Sequence, residues 1–132
     1  MGKAELEFSD TAIMGTWKEN ERFKGVFEKA LTRDPCTGNV TKLVRYAAGT
    51  VIPVQKVHDY CEEVYVLDGY MIDTAKQVIA SKGYYACRPV GMKHGPYEIP
   101  IHCTLLEMCY QDPCKETDPH CSLVKEKSGE PH

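Results

Sequence analysis

Two short clusters carry the side chains able to do chemistry: His58-Asp59-Tyr60-Cys61-Glu62-Glu63 and Gly91-Met92-Lys93-His94. Two imidazoles and one carboxylate, brought together by folding, make a small site for a divalent cation and leave coordination positions open for substrate. His58 and Glu62 stand four apart in a region that reads as strand, so both side chains point to the same face. Lys56 shares that parity and is expected to look into the same pocket, whereas Glu63 has the opposite parity and is expected to face away. Gln55 offers an acceptor oxygen, and becomes a candidate ligand only if the strand carries a bulge.

The elements that must position these groups read as short strands. Phe23 to Leu31 alternates imperfectly, and Arg33-Asp34-Pro35-Cys36-Thr37-Gly38-Asn39 is strong turn chemistry, which favours a hairpin into Val40–Tyr46. Val51–Val54 follows Gly49, with Pro53 placing it at an edge or a strand start. Glu62–Leu67 reads as a strand closed by Asp68-Gly69, a hairpin signal. Short runs at Tyr70–Ile72 and Val78–Ile79, the Ser81-Lys82-Gly83 turn, a strand over Tyr84–Arg88 and a last long run from His102 to Tyr110 complete the series. Turn signals every eight to twelve residues, and no convincing amphipathic helix, predict an all-β sandwich or barrel. Trp17, the only tryptophan, reads as an amphipathic cap over the core.

The 132 residues suit one domain, with a core over about 12–111 and a polar tail or arm over 112–132. Sixteen basic and nineteen acidic residues are mixed along the chain, which disfavours nucleic acid as a partner. No apolar run reaches the ~20 residues needed to span a bilayer, and the N-terminus lacks a signal peptide's apolar segment. A soluble, cytoplasmic protein is expected. Seven cysteines without a secretory signal read as reduced thiols. Cys109, Cys114, His120 and Cys121 do not match the paired spacing of a structural zinc site.

The two clusters resemble the motifs of the cupin superfamily. Gly49, then Lys56-Val57-His58, then Glu62 and, six residues on, Gly69 follow the first cupin motif; Gly83-Tyr84-Tyr85-Ala86-Cys87-Arg88-Pro89-Val90-Gly91-Met92-Lys93-His94 matches every spacing of the second. Within the superfamily the chain looks most like the ChrR-like group. That resemblance implies a jelly-roll barrel (double-stranded β-helix), a homodimer, and metal ligands at His58, Glu62 and His94, while Lys56 stands where the family has its first histidine. The group includes the zinc domain of an anti-sigma factor and small mononuclear-metal dioxygenases.

Replacing an imidazole by an ammonium removes a donor and adds positive charge beside the ion. Lys56 can pair with Glu62 or Glu63 and replace the metal, anchor an anionic substrate, or stabilise an enolate. The function expected is a dioxygenase with one divalent metal, Fe(II) favoured and Zn(II) next, acting on a small hydroxyketone, diketone or phenol. The alternatives are a non-catalytic ligand-binding or sensor cupin, and a metal-free isomerase or lyase in which Lys56 and Glu62 serve as acid and base. Arg45, Tyr46, Arg88 and His102 are candidates for the substrate pocket, the arginines as bidentate carboxylate partners.

Overall fold

The inward residues of the strands alternate with outward ones, and that alternation curls the sheet around a single core. The computed structural model describes residues 2–112, and every regular element among them is a strand. The strands are β1 (Lys18–Glu19), β2 (Val26–Arg33), β3 (Val40–Tyr46), β4 (Thr50–Ile52), β5 (Cys61–Asp73), β6 (Val78–Ser81), β7 (Tyr85–Arg88), β8 (Tyr97–Ile99) and β9 (Cys103–Tyr110). All pairings are antiparallel, in the order β1-β2-β3-β9-β5-β8-β4, with β6 and β7 also paired to β5. No helix among the described residues is long and apolar enough to cross a membrane.

The predicted hairpin between β2 and β3 forms where expected. Asp34 accepts the Cys36 amide on its carboxylate, and its own amide bonds the Asn39 carbonyl at 2.8 Å, closing the turn. In β3 the inward positions Val40, Val44 and Tyr46 are buried while Arg45 is exposed. Val44, Ile52, Ile99 and Cys103 are almost wholly enclosed, and with Val64, Val66, Met71 and Leu105 they form the core.

Asp68-Gly69 does not close a hairpin. β5 runs straight through it, and the pair instead forms a bulge: Val66 pairs with Leu105, then Asp68 with Thr104, so Leu67 is the extra residue. The slip reverses the inward parity, from Glu62, Val64 and Val66 before it to Met71 and Asp73 after it. This lets one long strand belong to both halves of the barrel. Gly69 has φ +72°, and a Cβ there would lie 2.0 Å from the His102 carbonyl oxygen, so only glycine fits. The hairpin that the bulge displaces comes later, at residues 74–77, where Asp73 caps the Lys76 amide and Gln77 takes φ +54°.

One further expectation is corrected. Residues 11–13 form a turn and 14–15 a bend, and Trp17 packs on the outer face of β2 and β3, with the Arg45 guanidinium 4.4 Å and the Lys29 ammonium 5.0 Å from its ring centre. It does not cap the core. β8, the three residues directly after Pro96, is a strand that the sequence pattern does not predict. Cys114, His120, Cys121 and the tail beyond residue 112 lie outside the described residues.

Candidate metal centre

The two motifs meet through backbone pairing. The Lys56 amide donates to the His94 carbonyl at 2.7 Å, and the His94 amide to the Lys56 carbonyl at 2.9 Å, an isolated antiparallel bridge between two irregular segments. A second bond, from the Gly91 amide to the His58 carbonyl at 3.0 Å, fixes the other end. His58 therefore sits in the connection before β5 and not in a strand, while Glu62 is the second residue of β5, opposite Arg88 of β7.

These contacts bring three donors to one point. Glu62 Oε2 lies 3.4 Å from His58 Nε2 and 3.6 Å from His94 Nε2. Glu62 is 5% exposed and His94 3%, and neither Glu62 Oε2 nor His94 Nε2 has a hydrogen-bond partner. Buried polar atoms are almost always satisfied, so two orphans aimed at one another ask for a shared partner. All three donor atoms fall within 4.8 Å of one another. A divalent cation is the partner that two neutral imidazoles and a carboxylate fit.

The electrostatics keep the donors in the forms such an ion needs. Burial lowers the His94 pKa to about 4, with Arg88 adding to the shift, so its imidazole is neutral. Burial also lowers His58, helped by Lys56 and Arg88. Burial pushes the Glu62 carboxyl up, but a hydrogen bond with Glu107 and the nearby Arg88, His94 and His58 more than offset this, leaving it below its ordinary range. Glu107 shifts the other way: burial, and then its bond to Glu62, hold it well above the usual carboxyl value. Of the two carboxyls, Glu107 is therefore the one that holds a proton more readily.

A chain of hydrogen bonds stands behind the donors. Arg88 Nη2 donates to Tyr97 Oη at 2.8 Å, and Tyr97 Oη lies 3.1 Å from His94 Nδ1. Arg88 Nη1 is 3.7 Å from Glu62 Oε2. An imidazole that ligates through Nε2 carries its proton on Nδ1, and Tyr97 is placed to accept it. The Tyr60 ring stacks on His58 with centroids 4.5 Å apart.

The donors form part of the wall of a cavity of about 330 Å³, whose apolar lining includes Phe23, Val44, Met71 and Leu105. Lys56, Tyr46 and Arg88 also line it, as the sequence predicts, and so does Gln55 at the exposed edge. Two predicted pocket residues do not. Arg45 points outward onto Trp17, because β3 turns its odd positions away from the core. His102 precedes β9 on the surface, where its Nε2 lies 3.0 Å from Asp68 Oδ2. Glu63 faces away as expected and accepts a hydrogen bond from the Tyr85 hydroxyl.

Glu107 is the functional candidate that sequence reasoning missed, and Tyr97, readable only as one of five tyrosines for core or barrel-mouth packing or substrate contact, has an unforeseen role beside His94. Glu107 had a readable signal: it is the one charged residue in Cys103–Tyr110 and shares parity with the buried Cys103 and Leu105. It brings Cys109 with it, so Glu62, Glu107 and Cys109 also approach within 4.8 Å. Tyr97 had no such signal, since its strand was not foreseen.

A curled antiparallel barrel with a histidine–glutamate–histidine cluster at the junction of two Gly-marked segments is a cupin jelly roll. The ChrR Cupin-like domain family matches residues 9–112, and the chain belongs to it. Among solved structures, an RmlC-like cupin from Shewanella frigidimarina superposes with a TM-score of 0.66 at 16% identity, over 86% of this chain and 96% of that one. An acetylacetone dioxygenase from Acinetobacter johnsonii superposes with 0.65 at 14% identity, over 96% and 95%. The complex of Rhodobacter sphaeroides SigE with the anti-sigma ChrR matches with 0.57 at 18% identity, over 73% of this chain and 50% of that one. No curated protein matches the sequence. At these identities the structural likenesses establish the fold.

Proposed function

We propose that the protein is a mononuclear-metal enzyme that holds a divalent cation, Fe(II) in preference to Zn(II), on His58, Glu62 and His94, and that it is a dioxygenase of a small oxygenated substrate. The observation that carries this is the pair of buried, partnerless donor atoms, Glu62 Oε2 and His94 Nε2, converging with His58 Nε2. The likeness to a structure named as an acetylacetone dioxygenase supports the diketone-like substrate class. When bound, a divalent ion here supplies Lewis acidity and, as Fe(II), the electrons that O2 chemistry requires.

The chain's own residues do the remaining work. Tyr97 and Arg88 orient His94 and Glu62, fixing the nitrogen and oxygen that face the cavity. Phe23, Val44, Met71 and Leu105 exclude water from one side of the substrate. Glu107 holds a proton within one carboxyl of the site, able to pass to Glu62.

Elemental analysis of untagged protein tests the proposal. About one transition-metal ion per chain is expected, and none after His94→Ala; metal-free protein that keeps its activity, or full metal retention by that variant, would sink it. Retained activity without metal would favour the isomerase or lyase reading, for which Lys56 and the proton on Glu107 supply an amine and an acid in one cavity. We also infer the homodimer implied by the cupin resemblance, and light scattering that shows monomer alone would count against it.

A further inference from the structure

The cavity's charges do not balance, and the imbalance is localised. Seven charged side chains line it besides the histidines: Arg22, Lys42, Lys56 and Arg88 against Glu28, Glu62 and Glu107. Lys42 Nζ is tied to Glu28 at 2.7 Å, and Arg88 stands beside Glu62 and donates to Tyr97. Glu107 is hydrogen-bonded to Glu62. Neither Arg22 nor Lys56 forms an ion pair with any of these carboxylates. Both instead sit on the Phe23 ring, the guanidinium carbon 4.9 Å and the ammonium nitrogen 4.7 Å from its centre.

One aromatic ring thus carries two cations at the cavity mouth. Two like charges on one ring repel, and a cation–π contact at a half-exposed site is worth only about 0.5–1 kcal/mol each, less than a charge-assisted hydrogen bond. A carboxylate at the mouth, within reach of both, offsets the repulsion and supplies an anionic partner. The subsite adjoins the donors through the backbone: Lys56 is bridged directly to His94, and bridged neighbours hold their Cβ atoms about 4.5–5.5 Å apart. A molecule a few heavy atoms long spans the gap.

We propose that the Arg22, Phe23 and Lys56 cluster is a carboxylate-binding subsite, and that the substrate is a short oxo- or hydroxy-carboxylate: its carboxylate lies against Lys56 and Arg22, and its second oxygen group reaches toward His58, Glu62 and His94. This rests on the reading of those three residues as the substrate-facing donors, but not on which metal they hold. It replaces the neutral diketone by a charged relative of the same length.

Isothermal titration of the full chain with acetoacetate and with acetylacetone, which differ by a carboxylate in place of an acetyl group, measures the subsite, with inorganic phosphate as a third probe and metal content read on the same samples. Acetoacetate is expected to bind at least about tenfold more tightly than acetylacetone or phosphate. Arg22→Gln should lower acetoacetate affinity by about tenfold while leaving acetylacetone affinity unchanged, and Lys56→Gln should lower acetoacetate affinity by a similar factor. Arg22 is exposed at the mouth, so its variant tests the subsite even if Lys56→Gln fails to fold. Equal or absent binding of the two organic probes, phosphate binding as well as acetoacetate, or a preference that survives Arg22→Gln overturns the proposal. A preference that persists in metal-free samples leaves it standing while the metal reading fails, and metal-loaded protein with no preference does the reverse.

Discussion

Tyr97 and Glu107 show how the candidate centre depends on residues that are not donors. If Tyr97 accepts the His94 Nδ1 proton, Tyr97→Phe leaves the ring packed but frees the imidazole to take the wrong tautomer, and loss of such a partner weakens metal affinity by about 10–100-fold. A competitive chelator titration measures this, and unchanged affinity would show that Arg88 and packing suffice. Glu107 makes a separate claim about pH. Its carboxyl is raised in the folded chain, so its contribution to stability is complete below the ordinary value of 4.5 and is lost as pH rises toward the folded value. His58 and His94 are lowered and act in the opposite sense, but only below their ordinary 6.5, where the unfolded chain takes up protons that the folded one refuses. Above pH 6.5 the histidines no longer contribute, and stability falls as Glu107 ionises in the fold. Metal-free protein should lose up to about 1.4 kcal/mol per pH unit there, and Glu107→Gln should flatten the slope. Urea melts across that window decide it; equal slopes would mean that Glu107 is ionised in the fold. The three donors themselves were legible because the spacing of Gly49, His58, Glu62, Gly69 and of Gly83 to His94 resembles the two cupin motifs, although His58 lies in no strand. The inward parity of Glu107 could be read from its strand, but its pairing with Glu62 could not, because the two lie forty-five residues apart and only the β5–β9 register brings them together.

At the scale of elements, β5 is the piece the sequence misstates most usefully. Asp-Gly between two apolar runs suits a hairpin and a bulge equally well, and the choice is made by β9: with Cys103–Tyr110 available as a partner along Cys61–Gly69, continuing the strand keeps the ladder that a hairpin would break. β3, by contrast, was read to its residue bounds, since Val40–Tyr46 has strong β propensity and a turn and a glycine to frame it. β8 is three residues long and carries too little pattern to see. The bulge itself can be tested. Gly69→Ala places a methyl 2.0 Å from the His102 carbonyl in a left-handed backbone conformation, with neither side free to move without unpairing β5 from β9. A loss of at least about 2 kcal/mol in denaturant unfolding is expected. The same substitution should also disturb metal retention, because the bulge sets the parity that turns Met71 and Asp73 inward after Glu62 has been turned inward before it. A loss below about 0.5 kcal/mol would mean that the strand slips register without cost.

At the scale of the whole molecule, the centre is also a clasp. His58 lies between β4 and β5, Glu62 is the second residue of β5, and His94 lies between β7 and β8, so one ion on these donors adds a tie between segments that the Lys56–His94 bridge and the Gly91–His58 bond also join. The cupin fold and the meeting of the three donors were readable from strand pattern and motif spacing, but the backbone bridge that holds them was not, because it joins two irregular segments whose conformation no periodicity describes. An unfolded chain cannot hold the three donors together, so metal stabilises the native state alone. At a free metal concentration a hundredfold above Kd the gain is about 2.7 kcal/mol, which in a chain of this size raises Tm by about 10 °C. The shift should scale with the logarithm of metal concentration, vanish on chelation, and be absent in Glu62→Gln, which removes the central charge while keeping the shape. Lys56→Gln is expected to enlarge it, since the substitution removes a cation beside the ion without removing a donor atom. If Lys56→Gln instead abolishes the shift, the lysine nitrogen is itself a ligand and occupies the position of the missing imidazole. If the wild-type Tm is indifferent to Fe(II) and Zn(II) alike, the orphaned Glu62 and His94 atoms are shared with water, and the cavity works without an ion.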